Sequence, residues 1–361
     1  MKITSVDPIP LRIPFDDGGA GVGIMPQRWN ALDMVLVRVS TDAGLVGWGE
    51  AFSYFCRRSV ADLITDLVAP ALIGRDPSDP AGLNDELQRR FALFGRYGVT
   101  IFALSGVDIA LWDLKAKAEG VDLATLLAGR RVRETIDAYA SLVRYGDADL
   151  VARYAGRAAG EGYRSLKLHE ITMPEIRAGR RAIDPAMSFT VDVNCAWTQD
   201  FAVSVLPELR ALDTLWLEEP VFPPEDWGAL GQLGGHDVAI AAGENACTSV
   251  EFGRLVPAVT YPQPSVTKVG GVTEFMRVDA IARRHGRTLM PHSPYFGPGY
   301  YATLQLAAAT DNIAMFEHLY IELGAWAGGE PLRPERGVLA IPARPGIGFE
   351  PDLAVLERCA A

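Results

Sequence analysis

Two styles of hydrophobic patterning divide this chain near residue 129. Residues 2–14 and 33–52 carry strand-like runs, the second containing MVLVRVSTDAGLVGWGEAF, with turn signals at Asp16-Asp17-Gly18-Gly19 and Asp42-Ala43-Gly44. From 59 to 128 the apolar spacing turns helical, as in VADLITDLVAPAL and SGVDIALWDLKAKAEG, the latter closing on Gly120 as a C-cap would. Strands followed by helices predict a separate α+β domain over 1–129. Short β-type runs then begin near 134, 165, 188, 215, 239, 262, 288 and 313, with an amphipathic helical stretch in each interval. Eight such repeats predict a parallel (β/α)₈ barrel over 130–331 rather than a doubly wound sheet. The Pro/Gly-rich tail, 332–361, is expected to pack back on the first domain.

The chain has 361 residues, 49% hydrophobic and 22% charged, enough for a sizeable core. Its formal charge is −11 and its lysines and arginines are scattered, which argues against a nucleic-acid binder. An acidic protein acting on an anion must neutralise that anion locally, and a divalent metal is one means. Cys56, Cys195, Cys247 and Cys359 lack any C-x-x-C spacing and read as reduced thiols. With no signal-like or membrane-spanning run, a cytoplasmic protein is expected, and a homo-oligomer.

Candidate chemistry gathers at the C-terminal ends of the predicted barrel strands, where barrel enzymes build their sites. Those ends read Lys167-Leu168-His169, Asp192-Val193-Asn194, Glu218-Glu219-Pro220, Glu244-Asn245, His292 and Glu317-His318. Asp192, Glu218 and Glu244 follow one another at equal intervals of 26 residues. Each therefore ends a successive strand, and the three can converge. Three oxygen ligands on rigid strands suit Mg²⁺ rather than Zn²⁺. The competing reading is three unrelated acids, each paired with Lys or Arg. Glu219 and Asn245 read as hydrogen-bonding support behind them.

D-V-N, L-E-E-P and G-E-N at these spacings resemble the enolase superfamily, in its mandelate racemase/muconate lactonizing enzyme branch. Gly47-Trp48-Gly49-Glu50 resembles that branch's cap signature, A-L-W-D-L-K-A-K-A at 110–118 its cap-to-barrel helix, and Lys268-Val269-Gly270-Gly271 the segment after its sixth barrel strand. The resemblance spans nearly the whole chain. It implies that the α+β domain caps the barrel and is completed by the tail, and that Asp192, Glu218 and Glu244 bind Mg²⁺. It further implies removal of the proton next to a substrate carboxylate, through an enediolate that the metal stabilises.

The base positions depart from the branch's pattern. Its second strand commonly ends Lys-x-Lys; here Lys167-x-His169 puts a histidine where the second lysine acts as base. Alternation along a strand sends both side chains to the barrel interior. An imidazole titrates near neutrality unaided, whereas a lysine must be depressed to serve as a base, and a neighbouring cation favours the neutral ring. His169 is therefore the expected base, with Lys167 beside the substrate carboxylate; the reverse assignment stays open. On the opposite face, His292 matches a catalytic histidine that an Asp normally orients. Ser265 stands in that Asp's place, so His292 is expected to lack an anionic partner. Lys268, before two glycines, reads as structural. Glu317 matches an acid that donates to the substrate carboxylate, which requires its proton. Asn194, Glu219, Asn245, Ser265, Lys268 and Glu317 are thus the expected supporting residues. Loops 16–29 and 53–58 fall where substrate choice is made, with glycines at 18, 19, 21 and 23 suiting a lid; Arg28, Trp29, Tyr54, Arg57 and Tyr295 are the candidates to meet substrate. The function expected is dehydration of a sugar acid. Racemisation, epimerisation or cycloisomerisation is the alternative, and a non-catalytic metal-binding barrel the third reading.

Overall fold

A computed structural model describes residues 1–21 and 28–361. Residues 22–27, the centre of the first expected specificity loop, lie outside the described residues. Strands β1 (Ile3–Asp16), β2 (Ala31–Thr41) and β3 (Val46–Ala51) pair antiparallel in sequence order. The 22-residue helix Gly98–Glu119 lies across them. Gly47 and Gly49 permit this contact: a Cβ on Gly49 would stand 1.9 Å from the Gly106 carbonyl oxygen, and one on Gly47 2.1 Å from that of Ala110. The glycines of the GWGE run are thus explained by backbone approach rather than by chemistry.

The barrel comprises β4 (Thr135–Ser141), β5 (Ser165–Leu168), β6 (Ser188–Asp192), β7 (Thr214–Glu218), β8 (Ala239–Ala242), β9 (Tyr261–Pro262) and β10 (Phe316–Leu319), all parallel, with β10 returning to β4. The run expected as a strand from 288 is reduced to a bridge from Leu289 to Ile313, while the Met290 N–H reaches the Pro262 carbonyl at 3.1 Å. Prolines 262, 264, 291 and 294 crowd this sector, and each removes a ladder donor, so pairing stays short although the circle closes.

The chain after β10 serves both layers, and it leaves the barrel at β11, ahead of the expected boundary at 331. β11 (Glu322–Leu323) pairs with the end of β1, and β12 (Val338–Ala340) pairs antiparallel with β4. At the terminus, Arg12 N–H donates to the Cys359 carbonyl at 2.9 Å. The helix Gly98–Glu119 joins cap to barrel: Trp112 Nε1 donates to Thr273 Oγ1 at 2.8 Å, and buried Asp108 accepts the Thr273 N–H at 2.9 Å. Asp113 accepts from Trp48 N–H and from Ile347 N–H, tying β3 to the tail. The chain is therefore a (β/α)₈ barrel carrying an N-terminal α+β cap completed by the C-terminal tail. Among the described residues no helix is long and apolar enough to cross a membrane, and the four cysteines are free.

Glu50, at the end of the GWGE run, accepts the Gly299 N–H at 2.8 Å beside the start of the barrel helix Pro298–Ala309. Burial pushes its carboxyl from 4.5 up to about 7, against the lowering by the Gly299 and Gly297 N–H groups. The folded state then holds this proton more tightly than the unfolded chain. The resulting stability is present below pH 4.5 and is lost as pH rises through 7, a swing of about 3 kcal/mol. Gln keeps an acceptor for Gly299 and never ionises. Glu50→Gln should therefore gain stability relative to wild type between pH 5 and pH 8 in denaturant melts; a pH-independent difference would refute the assignment.

Candidate active site

The parallel register carries the spacing of the acids into space. Asp192 and Glu218 are direct partners across β6 and β7, and Glu244 follows β8 by two residues. The turns after these strands are tight: Asn194, Cys195 and Glu219 take φ of 45°, 60° and 41°, left-handed values that cost non-glycine residues energy. Asp192 accepts the Asn194 N–H at 2.8 Å, which fixes one of its oxygens.

Lys167 is fully buried on the barrel floor, its ammonium among three carboxylates: Asp192 at 3.0 Å, Glu317 at 3.2 Å, and Glu218 in close contact. Burial alone would lower its pKa, but Asp192, Glu218 and Glu317 more than offset this and hold it well above its ordinary value. Burial would raise Asp192, yet Lys167 and His169 keep it well below the carboxylate range. Glu218 goes the other way, pushed up by burial and then by Asp192 and Glu317. Three acids facing one ammonium leave an excess of negative charge, so burial returns a proton to the group least able to stay ionised.

His169 lies just past β5, at the cavity. Its Nδ1 sits 2.5 Å from the Leu142 carbonyl oxygen, and its Nε2 3.3 Å from Asp192. A carbonyl only accepts, so Nδ1 carries a hydrogen, and Nε2, turned to Asp192, is the nitrogen left to give or take a proton. Across the cavity, His292 Nε2 is 2.7 Å from Glu244 and Nδ1 is 3.2 Å from the Tyr295 hydroxyl, which is itself bonded to Ser265. The expectation that His292 lacks an anionic partner is corrected: Glu244 meets Nε2, and Tyr295 takes the place beside Nδ1. Ser265 acts on the ring through that phenol, and the support is neutral where the branch pattern has an acid.

Trp29, Phe52, Tyr54, Val143, Arg144, His169, Asn194, Glu244, Lys268, His292, Pro294, Glu317 and Leu319 line one cavity. Trp29 and Tyr54 are thus part of the cavity wall. Several expectations are corrected. Tyr295 does not face substrate: it is buried beneath His292. Arg57 is committed to Asp33 at 2.9 Å, and Arg28 is exposed outside the cavity lining. Glu317 is seated as an acceptor. It accepts from Ser141 Oγ and Ser293 N–H, and although burial would raise it, Lys167 and then His292 hold it below its ordinary value. Lys268 is more than structural: its ammonium reaches the cavity, 4.7 Å from the Phe52 ring centre. Glu219 turns away to the Gly243 N–H, its carboxyl pushed up by burial and Glu244. Asn245 is exposed and makes only a 3.4 Å contact to Glu244, so it gives that acid little support.

Arg144, just past β4, is a cavity residue that sequence reasoning missed, because nothing in its local run Leu142-Val143-Arg144-Tyr145 marks it as inward-facing.

A divalent metal fits this donor set. Among the described residues Asp192, Glu218 and Glu244 do not yet converge on one point, because Glu244 is turned to His292. The Lys167 ammonium already sits against Asp192 and Glu218, so the oxygens offered to a metal are ones that hold a positive charge here. All the donors are hard carboxylate oxygens, the chemistry that Mg²⁺ takes.

The family described as mandelate racemase / muconate lactonizing enzyme, N-terminal domain, matches residues 27–128, and enolase C-terminal domain-like matches 149–355. The chain belongs to the enolase superfamily, in the mandelate racemase/muconate lactonizing enzyme branch. Among its relatives, D-galactarolactone cycloisomerase of Agrobacterium fabrum is 30% identical, with 97% of this chain and 96% of that protein covered. D-galactonate dehydratase of Verminephrobacter eiseniae is also 30% identical, over 92% of each. A solved structure described as a putative mandelate racemase from Bordetella bronchiseptica, complexed with 2-oxoglutarate/phosphate, superposes with a TM-score of 0.91 at 29% identity, covering 100% of this chain and 98% of that one.

Proposed function

We propose that this enolase-superfamily protein is an acid-sugar dehydratase that removes the proton next to a sugar-acid carboxylate and then expels the β-hydroxyl. The observation that carries this reading is the placement of His169 in the cavity wall, its Nδ1 held by the Leu142 carbonyl so that Nε2 is the nitrogen left to take a proton. Lys167, held as a cation by three carboxylates, is unsuited to be the base and suited to stabilising negative charge. Mg²⁺ held by Asp192, Glu218 and Glu244 would supply the positive charge against which the deprotonated carboxylate develops its second negative charge. His169 takes the α-proton on Nε2; the β carbon–oxygen bond then breaks, and His292 gives its Nε2 proton to the departing hydroxyl as water. The enol left behind becomes a 2-keto-3-deoxy acid.

Imidazoles at both sides of one cavity also suit racemisation or epimerisation, in which a proton is returned to the α carbon and no water is lost. Incubating the Mg²⁺-loaded protein with a set of aldonates and aldarates in D₂O separates the readings. Dehydration should give a semicarbazide-reactive keto acid, and racemisation or epimerisation deuterium at the α carbon without one. No exchange and no product across the set would overturn both.

A further inference from the structure

Arg144 stands in the cavity wall next to Val143, and it is held rigidly without being neutralised. Its Nε donates to the His169 carbonyl at 2.7 Å and one Nη to Asn194 Oδ1 at 3.1 Å. Both acceptors are uncharged. No acid lies within ion-pair reach of it among the described residues. The acids that act on it through space are committed elsewhere: Asp192 to Lys167 and His169, and Glu170 to the N–H groups of Tyr145 and Gly146. Burial lowers the pKa of its guanidinium, as expected for a charge taken from water without a counterion.

Every other cation near the reacting groups has a different station. Lys167 is saturated by carboxylates on the floor. Lys268 lies over Phe52, in the field of Glu244 and Glu219 on the far side of the barrel mouth. Among the residues lining the cavity, Arg144 alone brings a cation to the β4–β6 side, with three of its five N–H groups uncommitted by the bonds it makes. Trp29, Tyr54, Val143 and Leu319 line the same cavity and limit water there. In such a place a sugar hydroxyl can accept a hydrogen bond but cannot offset the charge, whereas a carboxylate does both and matches the planar fork of the guanidinium.

Resting on the proposed α-proton chemistry, we infer that Arg144 binds a second carboxylate of the substrate, so that the protein selects open-chain sugar diacids over the corresponding monoacids. The role that the sequence offered to Arg28 and Arg57 falls to Arg144. It is a specificity residue and takes no part in moving the proton.

Calorimetric titration of the Mg²⁺-loaded protein with matched pairs, galactarate against galactonate and glucarate against gluconate, tests this without requiring turnover. In at least one pair the diacid should bind about 30-fold or more tightly, the scale of a desolvated charge pair. Arg144→Gln, which keeps a donor for the His169 carbonyl, should collapse that ratio, and Arg144→Lys should restore part of it. A merely structural role would weaken both members of a pair alike and leave the ratio unchanged. Equal binding of diacid and monoacid by wild type, or an undiminished ratio in Arg144→Gln, overturns the inference. The expected binding ratios without α-exchange in D₂O would support Arg144 while refuting the α-proton reading.

Discussion

His169→Gln should lose α-hydrogen exchange by about a thousandfold while still binding substrate, because removing a positioned general base costs roughly 10²–10⁴ in rate. Gln can still donate toward the Leu142 carbonyl but has no basic lone pair to present on the cavity side. The companion variant Lys167→Met should behave differently. It removes the ammonium that faces Asp192, Glu218 and Glu317, leaving buried carboxylates without a cation. It should therefore lower thermal stability in the absence of Mg²⁺ and weaken substrate binding. Exchange measured by NMR in D₂O on each variant is decisive. Wild-type exchange in His169→Gln together with none in Lys167→Met would make Lys167 the base. Retained exchange in both would pass that role to His292.

Neutralising the metal donors should have the second large effect. In Glu218→Gln, Mg²⁺ affinity should fall by at least about 100-fold, beyond the 10–100-fold loss usual for groups that only support a ligand. The fold should survive, since burial already pushes Glu218 toward its neutral form and Gln preserves the acceptor for Trp216 Nε1 at 2.9 Å. Melting temperature without Mg²⁺ should stay near that of wild type, whereas the rise on adding Mg²⁺ should largely vanish, as linkage requires when only the native state binds. Asp192→Asn and Glu244→Gln should show the same loss of Mg²⁺ response. Undiminished affinity by calorimetry in all three variants would dismiss the assignment.

Much of this arrangement is legible in the sequence because it is local or periodic. Regular intervals of β-type runs announce the barrel, and strand periodicity sends Lys167 inward. Equal spacing places Asp192, Glu218 and Glu244 at successive strand ends, and the observed register pairs the first two directly. The Gly47 and Gly49 signature is a packing constraint that any chain crossing a helix this closely must meet.

What the sequence could not specify is which groups meet across long separations. The ionisation of Glu317 depends on Lys167, 150 residues away in the chain, and on burial that both share. The support of His292 by Tyr295 depends on a proline-rich turn that brings the phenol back beneath the ring and onto Ser265. Arg144 enters the cavity because the backbone after β4 turns toward His169 and Asn194. The sequence by itself determined the scaffold, the strand-end acids and the residue types available for chemistry, since these follow from periodicities of a few residues. Tertiary structure alone decided partners, protonation and which cation remains free, because electrostatic environment is fixed by burial and by neighbours that the linear chain does not place side by side.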